Sequence, residues 1–229
     1  MNANEIIKNL DIDKIRHLKI TNIFTKEQAE VFSYGVLNRH NINKVIQINL
    51  NSVYCTTMYL TEHHEHMTIN LPKMLSKKKN TNKYLRSLYG RYGFLMHELA
   101  HIIYTDFSEF EKLGIIMYDA FNITEDARVE HLISQNDPDL KLLFRELRAS
   151  SLTNKNKRIV ENHLNFDNLC YFIIFTYYDF EFNKTDNTIF YKDIYKQHSK
   201  DLFTESTQLF IKTMKEIYNK FNDFQNILH

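Results

Sequence analysis

Apolar and polar positions change their period twice along the chain. Residues 5–40 carry the spacing of one or two short helices, with Thr25 placed as N-cap before KEQAEVFSYGVL. From Lys44 to Leu71 the period drops to about two. KVIQINLNSVYCTTMYL and HMTINL are rich in β-branched and aromatic residues, which predicts two or three strands joined by a polar turn at Thr61–His66. LPKMLSKKKNTNK is a basic, polar link ending near Lys83. Beyond it the helical period returns. Helices are predicted over Tyr84–Thr105 and Ser108–Ser134, and Asn136-Asp137-Pro138 breaks the chain before a third helix opening at Pro138. SSLTNKNK (150–157) is a candidate hinge, followed by helices near 158–182, 189–198 and 204–227. The expected fold is α+β and mainly helical: one domain over 1–229, with a sheet-bearing sub-lobe of about 1–150 and a helical sub-lobe of 151–229.

Composition narrows this picture. Of 229 residues, 43% are hydrophobic and 14% aromatic, enough for a sizeable core and too many for a disordered chain. Lys and Arg total 29 against 28 Asp and Glu, so the strong basic excess of a phosphate-binding protein is missing and nucleic acid is not indicated. Four glycines and two prolines favour long helices over a many-stranded sandwich. Cys55 and Cys170 stand far apart with no CxxC, which excludes a disulfide scaffold and a cysteine zinc knuckle; they read as reduced thiols. MNANEIIKNL lacks the charged start and apolar stretch of a secretory signal, and the longest apolar run, Leu169–Tyr178, is about half of what a bilayer needs. The expectation is a soluble, cytoplasmic protein with no membrane partner.

The informative segment is His97-Glu98-Leu99-Ala100-His101. Histidines at i and i+4 leave one helix face a turn apart, the separation at which two imidazoles bind one Zn²⁺. Glu98 lies about 100° further round, where a carboxylate can act as general base without taking a coordination position. Gly90, Gly93, Phe94 and Tyr104 share the histidine side of the helix. The two glycines leave room for close approach there, or else permit tight helix packing.

A third ligand is required. The position six residues past His101 is Phe107, which excludes the short spacing; Asp106 is one residue early and lies about 140° from His101 on a continued helix. In the next predicted helix, Leu113, Ile116, Met117, Ala120, Phe121, Ala127 and Leu132 define one apolar arc. Glu125, Arg128 and His131 fall in or beside it, whereas Asp119, Asp126 and Glu130 fall on the far side. A carboxylate in an apolar arc needs a cation, which makes Glu125 the expected third ligand. Arg128 and His131 would orient it or stabilise an oxyanion. The alternative is a buried Glu125–Arg128 ion pair with no metal. Imidazole with carboxylate suits zinc, one ion per chain, and accepts other divalent ions.

HELAHIIYTDF followed some twenty residues later by NITEDARVE resembles the metallopeptidase region of cobaltochelatase CobT-like proteins with von Willebrand A domains, common in bacteriophages. More broadly it is similar to the gluzincins. The resemblance spans roughly residues 84–135. It implies a zincin-like fold with a sheet before the active helix, zinc on His97, His101 and Glu125, and Glu98 as general base. It also implies a peptide or protein substrate and, for a phage-encoded chain, the cytoplasm of the host. Two features depart from the family. There is no DxSxS, the metal motif of a von Willebrand A domain, and Val129 stands where gluzincins place an Asp that steadies the ligands. Asn122, Asp126 or Asp106 would take that role here, and Tyr104 joins them on the histidine side. The alternative function is a catalytically silent, metal-stabilised binding or regulatory protein; the resemblance suggests a MoxR-type AAA+ ATPase as its partner.

Weaker signals read more simply. His64 and His66 share a strand face and could chelate, but they sit at a predicted hairpin tip. Lys77-Lys78-Lys79 reads as a solvated loop. Tyr171, Phe172, Phe175, Tyr177, Tyr178 and Phe180 read as core of the C-terminal helices.

Overall fold

The computed structural model describes residues 3–21, 23–52, 56–59, 66–113, 115–152 and 154–228. Cys55 and the turn residues 61–65, His64 among them, lie outside these. Among the described residues three strands and eleven helices follow one another: α1 (Ala3–Asn9), α2 (Ile12–Ile15), α3 (Lys26–Arg39), β1 (Val45–Ser52), β2 (Thr56–Tyr59), β3 (His66–Pro72), α4 (Asn82–Tyr104), α5 (Phe107–Glu111), α6 (Ile115–Ser134), α7 (Pro138–Ser151), α8 (Asn154–Asn162), α9 (Phe166–Tyr177), α10 (Asp186–Leu202) and α11 (Thr207–Leu228). The expected class, mainly helical α+β with a small N-terminal sheet, is what these elements form. No helix among the described residues is long and apolar enough to cross a membrane.

The chain divides into two compact units: Met1–Ile103 with Ile133–Ser151, and Tyr104–Leu132 with Leu152–His229. The second unit therefore takes 104–132 as well as the C-terminal helices, unlike a cut near residue 150.

In the first unit the sheet has the order β1-β3-β2. The central β3 runs parallel to β1, pairing Val45 with His66 and Ile48 with Ile69, and antiparallel to β2, pairing Thr56 with Asn70. Its position in the middle explains why Met67, Thr68 and Ile69 are buried in succession, and Leu71 beyond half-buried Asn70, rather than in alternation. β1 alternates, burying Ile46 and Ile48 while Gln47 and Asn49 face solvent. Its outer backbone groups are met by side chains of α3. The Tyr34 hydroxyl accepts from Ile46 N (3.2 Å) and donates to Ile46 O (3.3 Å), and Glu30 accepts from Ile48 N (3.2 Å). α3 starts at the predicted cap: Thr25 Oγ1 accepts from Gln28 N, and Gln28 Oε1 accepts from Thr25 N.

α4 is buried over most of its circumference, and its glycines decide between close approach at the histidine side and tight helix packing. A Cβ on Gly90 would lie 2.5 Å from Ile7 Cγ1 of α1, and one on Gly93 would lie 2.4 Å from Leu147 Cδ1 of α7. Both are packing glycines. Between them Arg91, 2% exposed, donates from Nε to Pro72 O (2.7 Å) and from Nη1 to Phe24 O (3.3 Å), which ties α4 to the end of β3.

In the second unit the expected helix over 108–134 is two helices, with Gly114 of the sequence between them. Asp106 caps α5, its Oδ1 accepting from Ser108 N (3.1 Å) and Ser108 Oγ (2.6 Å). Phe110 and Phe121 join Leu169, Ile173, Phe210 and Met214 in one apolar core. Phe172, Phe175 and Tyr178 are buried as the aromatic cluster predicted, whereas Tyr171 is exposed.

Candidate metal centre

The long, uninterrupted α4 carries His97, Glu98 and His101 in its last two turns. The imidazoles of His97 and His101 stand with ring centroids 4.8 Å apart and planes at 85°. Glu98 and His101 are buried, and His97 is half-buried. A helix that turns two imidazoles and a carboxylate inward has to compensate their lost hydration.

Glu125 is fully buried on α6, as the apolar arc required, but its carboxylate already has partners. Oε2 accepts from Arg128 Nε (2.5 Å), while Oε1 accepts from Arg128 Nη2 (2.5 Å) and from Thr105 Oγ1 (2.6 Å). This is the forked guanidinium–carboxylate geometry, the strongest of side-chain hydrogen-bond pairs. The ion pair weighed as the alternative is therefore present. Arg128 is equally occupied. Nη1 donates to Thr204 O (2.8 Å) and Glu205 O (3.2 Å), Nη2 to Tyr104 O (2.8 Å) and Thr207 Oγ1 (3.3 Å), and the guanidinium lies 5.3 Å from the centroid of the Phe210 ring. Every N–H of the fork has an acceptor, which leaves none to stabilise an oxyanion.

Among the described residues, His97, His101 and Asp126 form a group in which each offers a ligand atom within 4.8 Å of the others, and this group could hold a metal ion. The expected arc turned Glu125 toward the metal and Asp126 away; the carboxylate in the group is the neighbour 100° further round. Tyr118, Asp119 and Asn122 give the first half of α6 a solvated face. Over its second half Thr124, Glu125, Ala127, Arg128, Val129 and Glu130 are all buried, so that face does not carry on to fix the helix phase at Glu125 and Asp126. Glu130, expected on the far side, is 3% exposed and accepts a hydrogen bond from the Tyr178 hydroxyl.

The other candidates have plainer roles. His131 shares a hydrogen bond between Nδ1 and the Tyr177 hydroxyl (3.1 Å), with its ring against Tyr177 and Phe203. Tyr104 contributes a carbonyl acceptor, and burial, with Glu205 nearby, pushes its phenol above the ordinary range. Asp106 is a helix cap, and Asn122 is exposed. His66 opens β3 from an exposed position.

Two imidazoles and one carboxylate are the donor types that open divalent-metal sites use, with zinc the usual occupant of such three-ligand sets. Comparison with family models, with curated proteins and with solved structures found no match to this chain.

Proposed function

We propose that the chain is a zinc-dependent metallopeptidase with a zincin-like active helix. The observation that carries this reading is the pairing of His97 and His101 on one helix, with Glu98 between them and Asp126 in the same ligand group. His97, His101 and Asp126 would hold one ion. Glu125 would not, because its oxygens serve Arg128 and Thr105. Zinc, when bound, supplies Lewis acidity toward a peptide carbonyl and toward water.

The remaining chemistry belongs to the chain. Glu98 follows the first imidazole by one residue, so its carboxylate takes the proton of the attacking water and returns it to the leaving amine. Burial of Glu98 excludes bulk solvent from that transfer. An extended peptide is assigned to β2, because the outer backbone groups of β1 are occupied by Glu30 and Tyr34. The proposed compartment is the cytoplasm, and the proposed substrate is a peptide or protein.

Elemental analysis and peptide-cleavage assays test the proposal together. One zinc per chain is expected in the wild type and in Glu98→Gln, with loss of zinc in His101→Ala and Asp126→Asn. Cleavage by Glu98→Gln should fall by at least about 10²-fold. Zinc-free wild type after zinc supply refutes the metal reading; full cleavage by Glu98→Gln refutes the assigned base.

A further inference from the structure

We propose that Arg128 is a positioning residue for the metal group, an inference that rests on the metal reading. α4, the helix of His97 and His101, ends at Tyr104. The last carbonyls of a helix lack partners within it, and a cation there is favoured by the helix dipole. Tyr104 O receives Arg128 Nη2 at 2.8 Å and Thr207 Oγ1 at 3.1 Å. Thr207 Oγ1 in turn accepts from Asp106 N at 3.0 Å, so the exit turn of α4 is held on both sides.

The same guanidinium forks onto Glu125, the residue before Asp126 on α6. Thr105, next after Tyr104, closes the ring by donating to Glu125 Oε1. One side chain thus caps the last carbonyl of the histidine helix and holds the carboxylate of the residue next to Asp126. A metal group tolerates only small errors in ligand placement, and loss of an orienting partner typically lowers metal affinity 10- to 100-fold. Lysine would keep the charge at 128 without the fork.

The test uses the full chain, freed of metal, with Co²⁺ as the probe. Affinity is read by chelator competition and ligand geometry by the visible absorption of bound cobalt. Arg128→Lys and Glu125→Gln are each expected to bind cobalt about 10- to 100-fold more weakly, with an altered spectrum. Tyr191→Phe serves as the stability control: its hydroxyl bonds the carbonyls of His163 and Asn165, and its loss should lower the melting temperature and leave both cobalt readouts unchanged. Wild-type affinity and spectrum in Arg128→Lys overturn the proposal. So does loss of cobalt in Glu125→Gln alone, which would make Glu125 itself a ligand. Should Arg128→Lys not fold, Arg128→Gln and Arg128→Met, which lack the fork onto Glu125 and the pair of donors to the carbonyls, are judged by the same criteria. A wild type that binds no cobalt overturns the metal reading rather than the positioning role alone.

Discussion

Two fully buried guanidiniums meet the same problem by different routes. Arg128 has a carboxylate and four further oxygen acceptors, whereas Arg91 has the carbonyls of Pro72 and Phe24, and burial pushes its pKa down to about 10. His198 is a third buried cationic-type side chain, held neutral. Burial, and then the ammonium of Lys220 that donates to its Nε2 at 3.0 Å, keep the imidazole below its ordinary value against a weaker pull from Glu216 and Asp201. The unfolded chain therefore binds this proton more readily than the folded one. Stability is intact above the ordinary histidine pKa of about 6.5 and declines as pH falls through it toward the lower folded value. Urea midpoints measured between about pH 7.5 and 5.5 should drop in the wild type, and His198→Asn should flatten that part of the fall. An unchanged slope would place the proton uptake elsewhere.

At the scale of elements, local chemistry was readable and helix phase was not. The Thr25 cap and the Pro138 start depend on residues within a turn of one another, and both stand where the sequence puts them. The HExxH segment lies in a helix for the same reason. The phase of α6 at Glu125 and Asp126 depends on its neighbours, because the helix is buried on both sides of Asp126 from Thr124 to Glu130 and carries no clear polar stripe there. Gly90 and Gly93 were ambiguous likewise: the sequence shows a missing side chain and not what fills its place. Gly90→Ala tests the outcome. The added Cβ would meet Ile7 Cγ1 and Cδ1 at 2.5 and 2.9 Å, against which the gain in helix propensity is about 1 kcal/mol. A net destabilisation of about 1–2 kcal/mol in chemical denaturation is expected, and a stabilised variant would show that α1 yields.

For the molecule as a whole, hinge-like composition at 150–157 suggested a division that contacts only partly follow. The unit boundary does fall at Ser151–Leu152, yet the second unit also needs 104–132. Linear sequence cannot show that a segment packs with residues fifty or more positions away. Phe110 and Phe121 belong to the core of Leu169, Ile173 and Phe210, and Arg128 bonds Thr204 and Glu205. A fragment of residues 152–229 therefore lacks a wall of its own core. Expressed alone, it should give no cooperative thermal unfolding; adding 104–132 in trans or by fusion should restore it. A sharp transition in the fragment alone would contradict this.

The side chains of Glu30 and Tyr34 along β1 have one more consequence. An amide that already has an acceptor cannot recruit a strand from another chain, so this margin of the sheet is closed to templated growth. The helix that precedes the sheet thereby acts as its chaperone within the chain. Since α3 is synthesised before β1, the side chains that guard the strand leave the ribosome ahead of it.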